Sequence, residues 1–281
     1  MKIKTALLQY PIAWADKETN LRLAEQRIAA LAGKADVAVL PEMFATGFCT
    51  DHPELAEPMD GEIMTCLQRL ADQYEIAIVG SLICLPIGYK AIEHPTKTQA
   101  SSGTPLRREE MRLVNRGFMV VPHGEVLMQD KRHLYAHGGE DKFFEQAQER
   151  HIFEYKGVKI LLLVCYDLRF PVWARNRSGH DYDLILVVAN WPDIRIQYWD
   201  ALIAARATEN QCYIAAVNCV GDDGTGLHYN GHSVAYDTRL QPIVSFADDE
   251  EGTKIAEFDI DKLHHFREVL PLWKDIDHFT L

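Results

Sequence analysis

Three reactive side chains share one setting: each stands directly at the end of an apolar, strand-like run. Val37-Ala38-Val39-Leu40-Pro41 leads into Glu42, Val126-Leu127-Met128-Gln129-Asp130 into Lys131, and Lys159-Ile160-Leu161-Leu162-Leu163-Val164 into Cys165. In α/β folds ligands bind beyond the carboxyl ends of the strands, so the three are candidates for one pocket. A thiol attacks a carbonyl as thiolate, and an ordinary cysteine is mostly protonated at neutral pH. A nearby carboxylate can take that proton as general base. By itself it would also hold the thiol protonated through like-charge repulsion, so the site needs a cation. Lys131 meets that need and can stabilise the oxyanion of a tetrahedral intermediate. Cysteine, glutamate and lysine together make a self-consistent acyl-transfer set. Taken singly, each has a plainer reading: an inert core thiol, a solvated turn glutamate, or an exposed charge in Asp130-Lys131-Arg132-His133.

The elements that must position these groups read as α/β. Asp36–Leu40, Ile76–Ile83, Gly117–Val121, Val158–Val164, Asp183–Val188 and Cys212–Asn218 are short apolar blocks, the pattern of strands covered on both faces. Met1–Pro11 reads as the first strand rather than a signal peptide, because its apolar part is broken at Gln9 and stopped at Pro11. Asn20–Leu31 has helical spacing, with Asn20 expected as N-cap and Gly33 as stop. Glu62–Tyr74 and Trp199–Gln211 show similar periods. Gly231–Asp237, Gln241–Ser245 and Thr253–Asp259 read as further strands. The chain reads as a single domain over residues 1–281 without internal repeats, with an irregular, insertion-like stretch at Pro86–Asn115.

Composition narrows the partners. The 281 residues carry 29 Lys+Arg against 41 Asp+Glu, a net charge of −12, which argues against a nucleic-acid partner. The longest apolar stretches fall far below a membrane-spanning length, so no membrane partner is expected. Six cysteines form no C-x-x-C pair, and the reading is a reducing, cytoplasmic compartment. The twelve histidines show no metal spacing, so no metal ligands are expected. Gly221-Asp222-Asp223-Gly224-Thr225-Gly226 is read as a turn between strands rather than a phosphate loop.

Pro41-Glu42-Met43-Phe44, Asp130-Lys131-Arg132-His133-Leu134 and Val164-Cys165-Tyr166-Asp167-Leu168-Arg169-Phe170-Pro171 resemble the three signature motifs of the nitrilase, or carbon–nitrogen hydrolase, superfamily, in the family's order. The resemblance implies a four-layer α-β-β-α sandwich that works as a homodimer and needs no cofactor or metal. It makes Glu42 the general base, Lys131 the oxyanion-stabilising cation and Cys165 the nucleophile, with the backbone N–H of Tyr166 as a second oxyanion donor. A second glutamate, matched here by Glu140 with Glu145 close by, would orient Lys131 and the hydrolytic water.

Pro41–Phe48 and Asn190-Trp191-Pro192, followed by Arg195 and Trp199, resemble the ω-amidase branch, whose substrates are 2-oxoglutaramate and related α-keto acid amides. Such a substrate carries a carboxylate, for which Arg169 and Arg195 are candidate clamps; the alternative for Arg169 is a structural pair with Asp167. Trp191 and Trp199 are open between substrate contact and core packing. Arg206 with Glu209 reads as a structural ion pair. The long Pro86–Asn115 stretch, and Cys219 where close relatives would have arginine, depart from the branch. Other readings are a carbon–nitrogen hydrolase acting on a nitrile, a carbamoyl amine or a peptide-derived amide, a Cys–His mechanism using His133 or His137, and a catalytically silent binding module.

Overall fold

Strands that are apolar on both sides must be covered on both faces, and the chain meets this demand with two sheets packed together and helices outside them. The computed structural model describes residues 1–86 and 112–277. The first half supplies β1 (Lys2–Gln9), α1 (Lys17–Ala29), β2 (Val37–Val39), α2 (Glu62–Tyr74), β3 (Ala77–Cys84), β4 (Val114–Val120) and β5 (Val126–Asp130). A short helix, α3 (Glu140–Phe143), precedes β6 (Ile152–Tyr155), β7 (Val158–Val164), α4 (Pro171–Ala174), β8 (Leu184–Val188), α5 (Ile196–Asn210) and β9 (Tyr213–Val217). Then come a hairpin of β10 (Val220–Asp222) and β11 (His228–Asn230), followed by β12 (Val234–Tyr236), β13 (Pro242–Ser245), β14 (Gly252–Asp259) and α6 (Ile260–Val269).

The strands form two six-stranded mixed sheets, ordered β14-β1-β2-β3-β4-β5 and β6-β7-β8-β9-β12-β13. Read across either sheet, the neighbours run antiparallel, parallel, parallel, antiparallel, antiparallel. The topology therefore repeats although the sequence does not.

Strand alternation sorts the side chains between layers. Ile3, Leu7, Val37, Val39, Ala77, Val79 and Met119 pack in one core with the second sheet. Ala6, Leu8, Ala38, Leu40, Ile78 and Phe118 pack with Ile28 of α1 and Leu67 and Leu70 of α2. Trp199, Ile203 and Ala207 of α5, with Ile260 and Leu263 of α6, join the core around the second sheet. The result is a four-layer α-β-β-α sandwich. Gly117 marks a close approach of the layers: a Cβ there would lie 2.8 Å from Leu162 Cδ2 and 3.1 Å from Val164 Cγ2.

Three local expectations change. Asp16, not Asn20, caps α1, accepting a hydrogen bond from the Thr19 amide. Asn20 is buried inside the helix, and its carboxamide joins Ala13 N, Ala13 O and Ala45 O at 2.7–2.9 Å. It thus ties α1 to the loop that follows Glu42, a long-range use that a local spacing pattern cannot show. The helix has already ended at Ala30, so Gly33 (φ +69°) serves the following turn instead. At the end of the irregular stretch, Val114 and Asn115 already belong to β4, while residues 87–111 lie outside the described residues. Helix α6 follows the last strand, in a stretch to which the sequence pattern assigned no element. Among the described residues no helix is long and apolar enough to cross a membrane.

Candidate active site

The two sheets bring their strand ends to one place. Glu42 stands three residues beyond β2, Lys131 directly follows β5, and Cys165 directly follows β7. Cys165 has φ +46°, a left-handed backbone conformation that is costly for a residue with a side chain. It lies at the start of a 3-10 turn, Cys165–Arg169, where the chain leaves the strand abruptly. Asp167 fastens that turn to the lysine loop. Its carboxylate accepts hydrogen bonds from the amides of Val164 (3.3 Å), Arg132 (3.4 Å) and His133 (2.9 Å), and lies 2.8 Å from His133 Nδ1.

Lys131, Glu42 and Glu140 are all fully buried. Lys131 Nζ is 2.9 Å from Glu42 Oε1, and 3.1 and 2.8 Å from the two oxygens of Glu140. Glu145, the other glutamate considered for this position, is exposed. A residue that the sequence reading missed completes the cluster: Asn115 Nδ2 donates to Glu42 Oε1 at 2.8 Å and to Glu140 Oε1 at 3.0 Å. The Tyr135 amide donates to Glu140 Oε2 at 2.7 Å, and the Asn190 amide to Glu42 Oε2 at 2.9 Å. Each carboxylate oxygen offers two lone pairs. Glu140 Oε1 thus has two donors, and Oε2 has the Tyr135 amide with the Lys131 ammonium close by. Glu42 Oε1 also has two, whereas Oε2 has one N–H donor among the described residues, the Asn190 amide, and keeps a position for another donor.

The charges explain the resting state. Burial raises the Cys165 thiol well above its ordinary pKa, and the Glu42 carboxylate raises it further, against the opposing pull of Lys131. Burial by itself would depress Lys131, but Glu140 and Glu42 more than reverse this and keep it protonated. Burial also raises Glu140, aided by Glu42 and opposed by Lys131. One cation between two carboxylates favours a neutral thiol over a standing thiolate.

The thiol opens on a cavity of about 410 Å³. Lys131, Cys165, Tyr166, Arg169, Trp191 and Arg195 all line it, so four of the substrate-contact candidates share this space with the thiol and the lysine. The Arg169 guanidinium lies over the rings of Trp191 (4.7 Å) and Tyr198 (5.0 Å), and that of Arg195 over Tyr135 (5.4 Å). Neither has an ion-pair partner among the described residues, and Asp167 is occupied by His133. Trp191 is anchored by its indole N–H to Arg195 O at 2.8 Å.

Other candidates lie elsewhere. Trp199 is a core residue whose indole donates to His232 O, and Arg206 pairs with Glu209 at 2.9 Å. His133 stacks on Phe170 and is held by Asp167, while His137 lines the cavity. The Cys219 thiol donates to Asn190 Oδ1 at 3.0 Å, behind the residue that holds Glu42. The glycine-rich segment is the turn of the β10–β11 hairpin, as expected, and it also supplies Asp223 and Thr225 to the cavity wall.

This geometry can be set against known proteins. The sequence profile of one family, described as carbon–nitrogen hydrolase, matches residues 4–268. The chain belongs to the carbon–nitrogen hydrolases. The hydrolase is 39% identical over 280 residues to Omega-amidase YafV of Escherichia coli (strain K12), covering 99% of this chain and 98% of that one. It is 29% identical over 278 residues to a 2-oxoglutaramate amidase of Bacillus subtilis, covering 98% of each. Among solved structures, a CN-hydrolase superfamily protein from Xanthomonas campestris with an arsenic adduct in its active site matches with a TM-score of 0.88 and 34% identity. That match covers 100% of this chain and 99% of the other. The hydrolase is a cysteine-dependent amidase of the ω-amidase branch.

Proposed function

We propose that this enzyme cleaves the terminal amide of a small α-keto acid amide of the 2-oxoglutaramate type, giving the acid and ammonia through a thioester on Cys165. The observation that carries this reading is the pair of guanidiniums without ion-pair partners among the described residues, Arg169 and Arg195, on the same cavity as the thiol. An α-keto acid amide carries a carboxylate at the end remote from its amide, and guanidinium binds carboxylate in a two-pronged fashion. Relatives named as an omega-amidase and a 2-oxoglutaramate amidase support the same substrate class.

In this reading Glu42 Oε2 takes the thiol proton as Cys165 Sγ bonds to the amide carbon. Lys131 Nζ and the backbone N–H of Tyr166 hold the oxyanion. The tetrahedral adduct collapses as Glu42 returns the proton to the departing nitrogen, so ammonia leaves and a thioester remains. Water, deprotonated by Glu42, then adds to the thioester. The thiolate leaves, recovers its proton from Glu42, and the acid is released. Glu140 holds Lys131 in place throughout. We take residues 1–281 to act as one catalytic domain. Exposed Ile194 and Tyr198, near the arginine pair, support a homodimer that would cover them.

The test is ammonia release from 2-oxoglutaramate, 2-oxosuccinamate, glutamine, a nitrile and a carbamoyl amine, with Cys165→Ala as control. Turnover of the keto amides, lost in the variant, is the expected result. Preferential turnover of the nitrile or carbamoyl amine would discard the substrate class and keep the thiol chemistry. Wild-type turnover by Cys165→Ala would overturn the mechanism.

A further inference from the structure

We infer that Asn115 is a positioning residue of this hydrolysis: its carboxamide lets one lysine serve two glutamates and fixes which oxygen of Glu42 receives the thiol proton. The inference rests on the reading of Glu42 as the base. Two buried carboxylates within reach of a single ammonium carry one negative charge too many, and their mutual repulsion would turn one of them away from Lys131. Asn115 Nδ2 bears two hydrogens and points one at Oε1 of each glutamate, at 2.8 and 3.0 Å. Lys131 Nζ reaches the same two oxygens at 2.9 and 3.1 Å. The two Oε1 atoms are thus bridged twice, once by a cation and once by a neutral amide.

The cost of this arrangement shows which way the amide must face. Asn115 is fully buried, and its Oδ1 has no hydrogen-bond partner among the described residues. Flipping the amide would set that oxygen against two carboxylate oxygens, which is worse than leaving it unpaired. With Oε1 of Glu42 closed by two donors, Oε2 is left to accept a proton, and its one N–H donor among the described residues is the Asn190 amide.

The backbone supports the same role. Asn115 shares a strand face with Gly117 and Met119, the face turned to the second sheet. The absent side chain of Gly117 lets this strand lie close to Leu162 and Val164, just before Cys165. The Asn115 carbonyl accepts from the Lys131 amide at 2.9 Å, so one residue sets both the lysine's backbone and its side-chain partners.

The experiment compares wild type with Asn115→Leu, Asn115→Asp and Glu42→Gln, measuring kcat and KM for ammonia release across the pH range, with thermal melting as a folding control. Asn115→Leu removes one donor from each glutamate. We expect kcat to fall about 10- to 100-fold with KM within about twofold, the scale of a lost hydrogen bond to a charged group. The acid limb of the kcat/KM profile should move to higher pH, because a carboxylate that has lost a donor holds its proton more tightly. Asn115→Asp keeps the shape but adds a third carboxylate beside one lysine, so its acid limb should move further in the same direction. A merely structural asparagine would lower the melting temperature and leave the limb in place; that result in the isosteric Asp variant overturns the proposal even if the Leu variant fails to fold. If Glu42→Gln retained the wild-type rate, the reading of Glu42 would fail instead, and the two failures are told apart.

Discussion

Glutamine is usually a mild replacement for glutamate, but at position 140 the surroundings make it a severe one. Glu140 Oε1 accepts from Asn115 (3.0 Å) and Lys131 (3.1 Å), while Oε2 accepts from the Tyr135 amide (2.7 Å) and lies 2.8 Å from the Lys131 ammonium. In Glu140→Gln the new NH₂ must occupy one of these two positions, and in either it faces a donor. Either Asn115 Nδ2 or the Tyr135 amide is left without its partner on this side chain, and Lys131 loses one of its two counter-charges. An unsatisfied buried donor costs about 1–3 kcal/mol, and with the weakened charge contact the total is roughly 2–4 kcal/mol. For a chain of this size that corresponds to a fall in melting temperature on the order of 3–7 °C. Turnover should drop about 100-fold or more, because Lys131 no longer sits where the oxyanion forms. The Cys165 thiol, raised in part by the Glu140 charge, should instead ionise more readily. Iodoacetamide alkylation should therefore proceed as fast as in wild type, or faster, while amide turnover collapses. A variant with wild-type melting temperature and wild-type kcat would refute the reasoning that both Glu140 oxygens must accept.

Replacing Arg169 or Arg195 by methionine should raise KM for a keto amide about 10- to 100-fold with little change in kcat, as expected for a lost carboxylate contact; an unchanged KM with a lower melting temperature would mark them as structural. His232 lies between Asp200 (3.1 Å) and Asp248 (2.5 Å), and His228 between Asp222 (2.7 Å) and Asp249 (2.9 Å). Burial would lower His232, but the hydrogen bonds to Asp248 and Asp200 raise it above the ordinary value of 6.5, and Asp222 and Asp249 raise His228. Their contribution to stability is full below the unfolded value and is lost as pH rises through the raised folded values; melting scans across that window should show the loss, with a flatter response in His232→Gln. Gly117→Ala would force its methyl group against Leu162 and the Gln129 carbonyl at 2.8 Å, lowering stability by about 1–3 kcal/mol in a denaturant titration.

Glu42, Lys131 and Cys165 are legible in the sequence because each ends an apolar run, and the end of a strand is a local feature. Asn115 is not, because its role depends on register. It lies opposite Ile83 on the neighbouring strand, and it reaches Glu42 across a sequence separation of 73 residues. Its signal was present in the alternation of Asn115, Gly117 and Met119 against Val114, Arg116 and Phe118, but the irregular residues before it disguised the start of the strand. Asn20 misled in the opposite way: asparagine at the head of a helical pattern has a local explanation, and the actual partners, Ala13 and Ala45, are supplied by the fold. The central strands and α2 were readable almost to the residue, since burial on both faces or a strong helical stripe leaves little choice of period. The cavity wall contributed by Asp223 and Thr225 was hidden because a glycine-rich turn looks alike whether it faces solvent or substrate.

The repeated topology of the two sheets has a mechanical consequence. Glu42, Lys131 and Asn115 belong to one sheet, while Cys165 and Asn190 belong to the other, and the two sets meet across the seam between the layers. Asn190 spans that seam, donating through its amide to Glu42 Oε2 and through its side chain to the Glu42 carbonyl at 2.8 Å. Any slip of one sheet over the other would therefore pass directly into the spacing between Glu42 and Cys165. The apolar residues between the layers, such as Val39, Val79 and Leu162, thus act as the gauge block of that spacing. Trimming one of them should change the rate through alignment alone, and β14, which returns from the end of the second sheet to pair along the whole of β1, clamps the two layers at the setting where the chemistry is aligned.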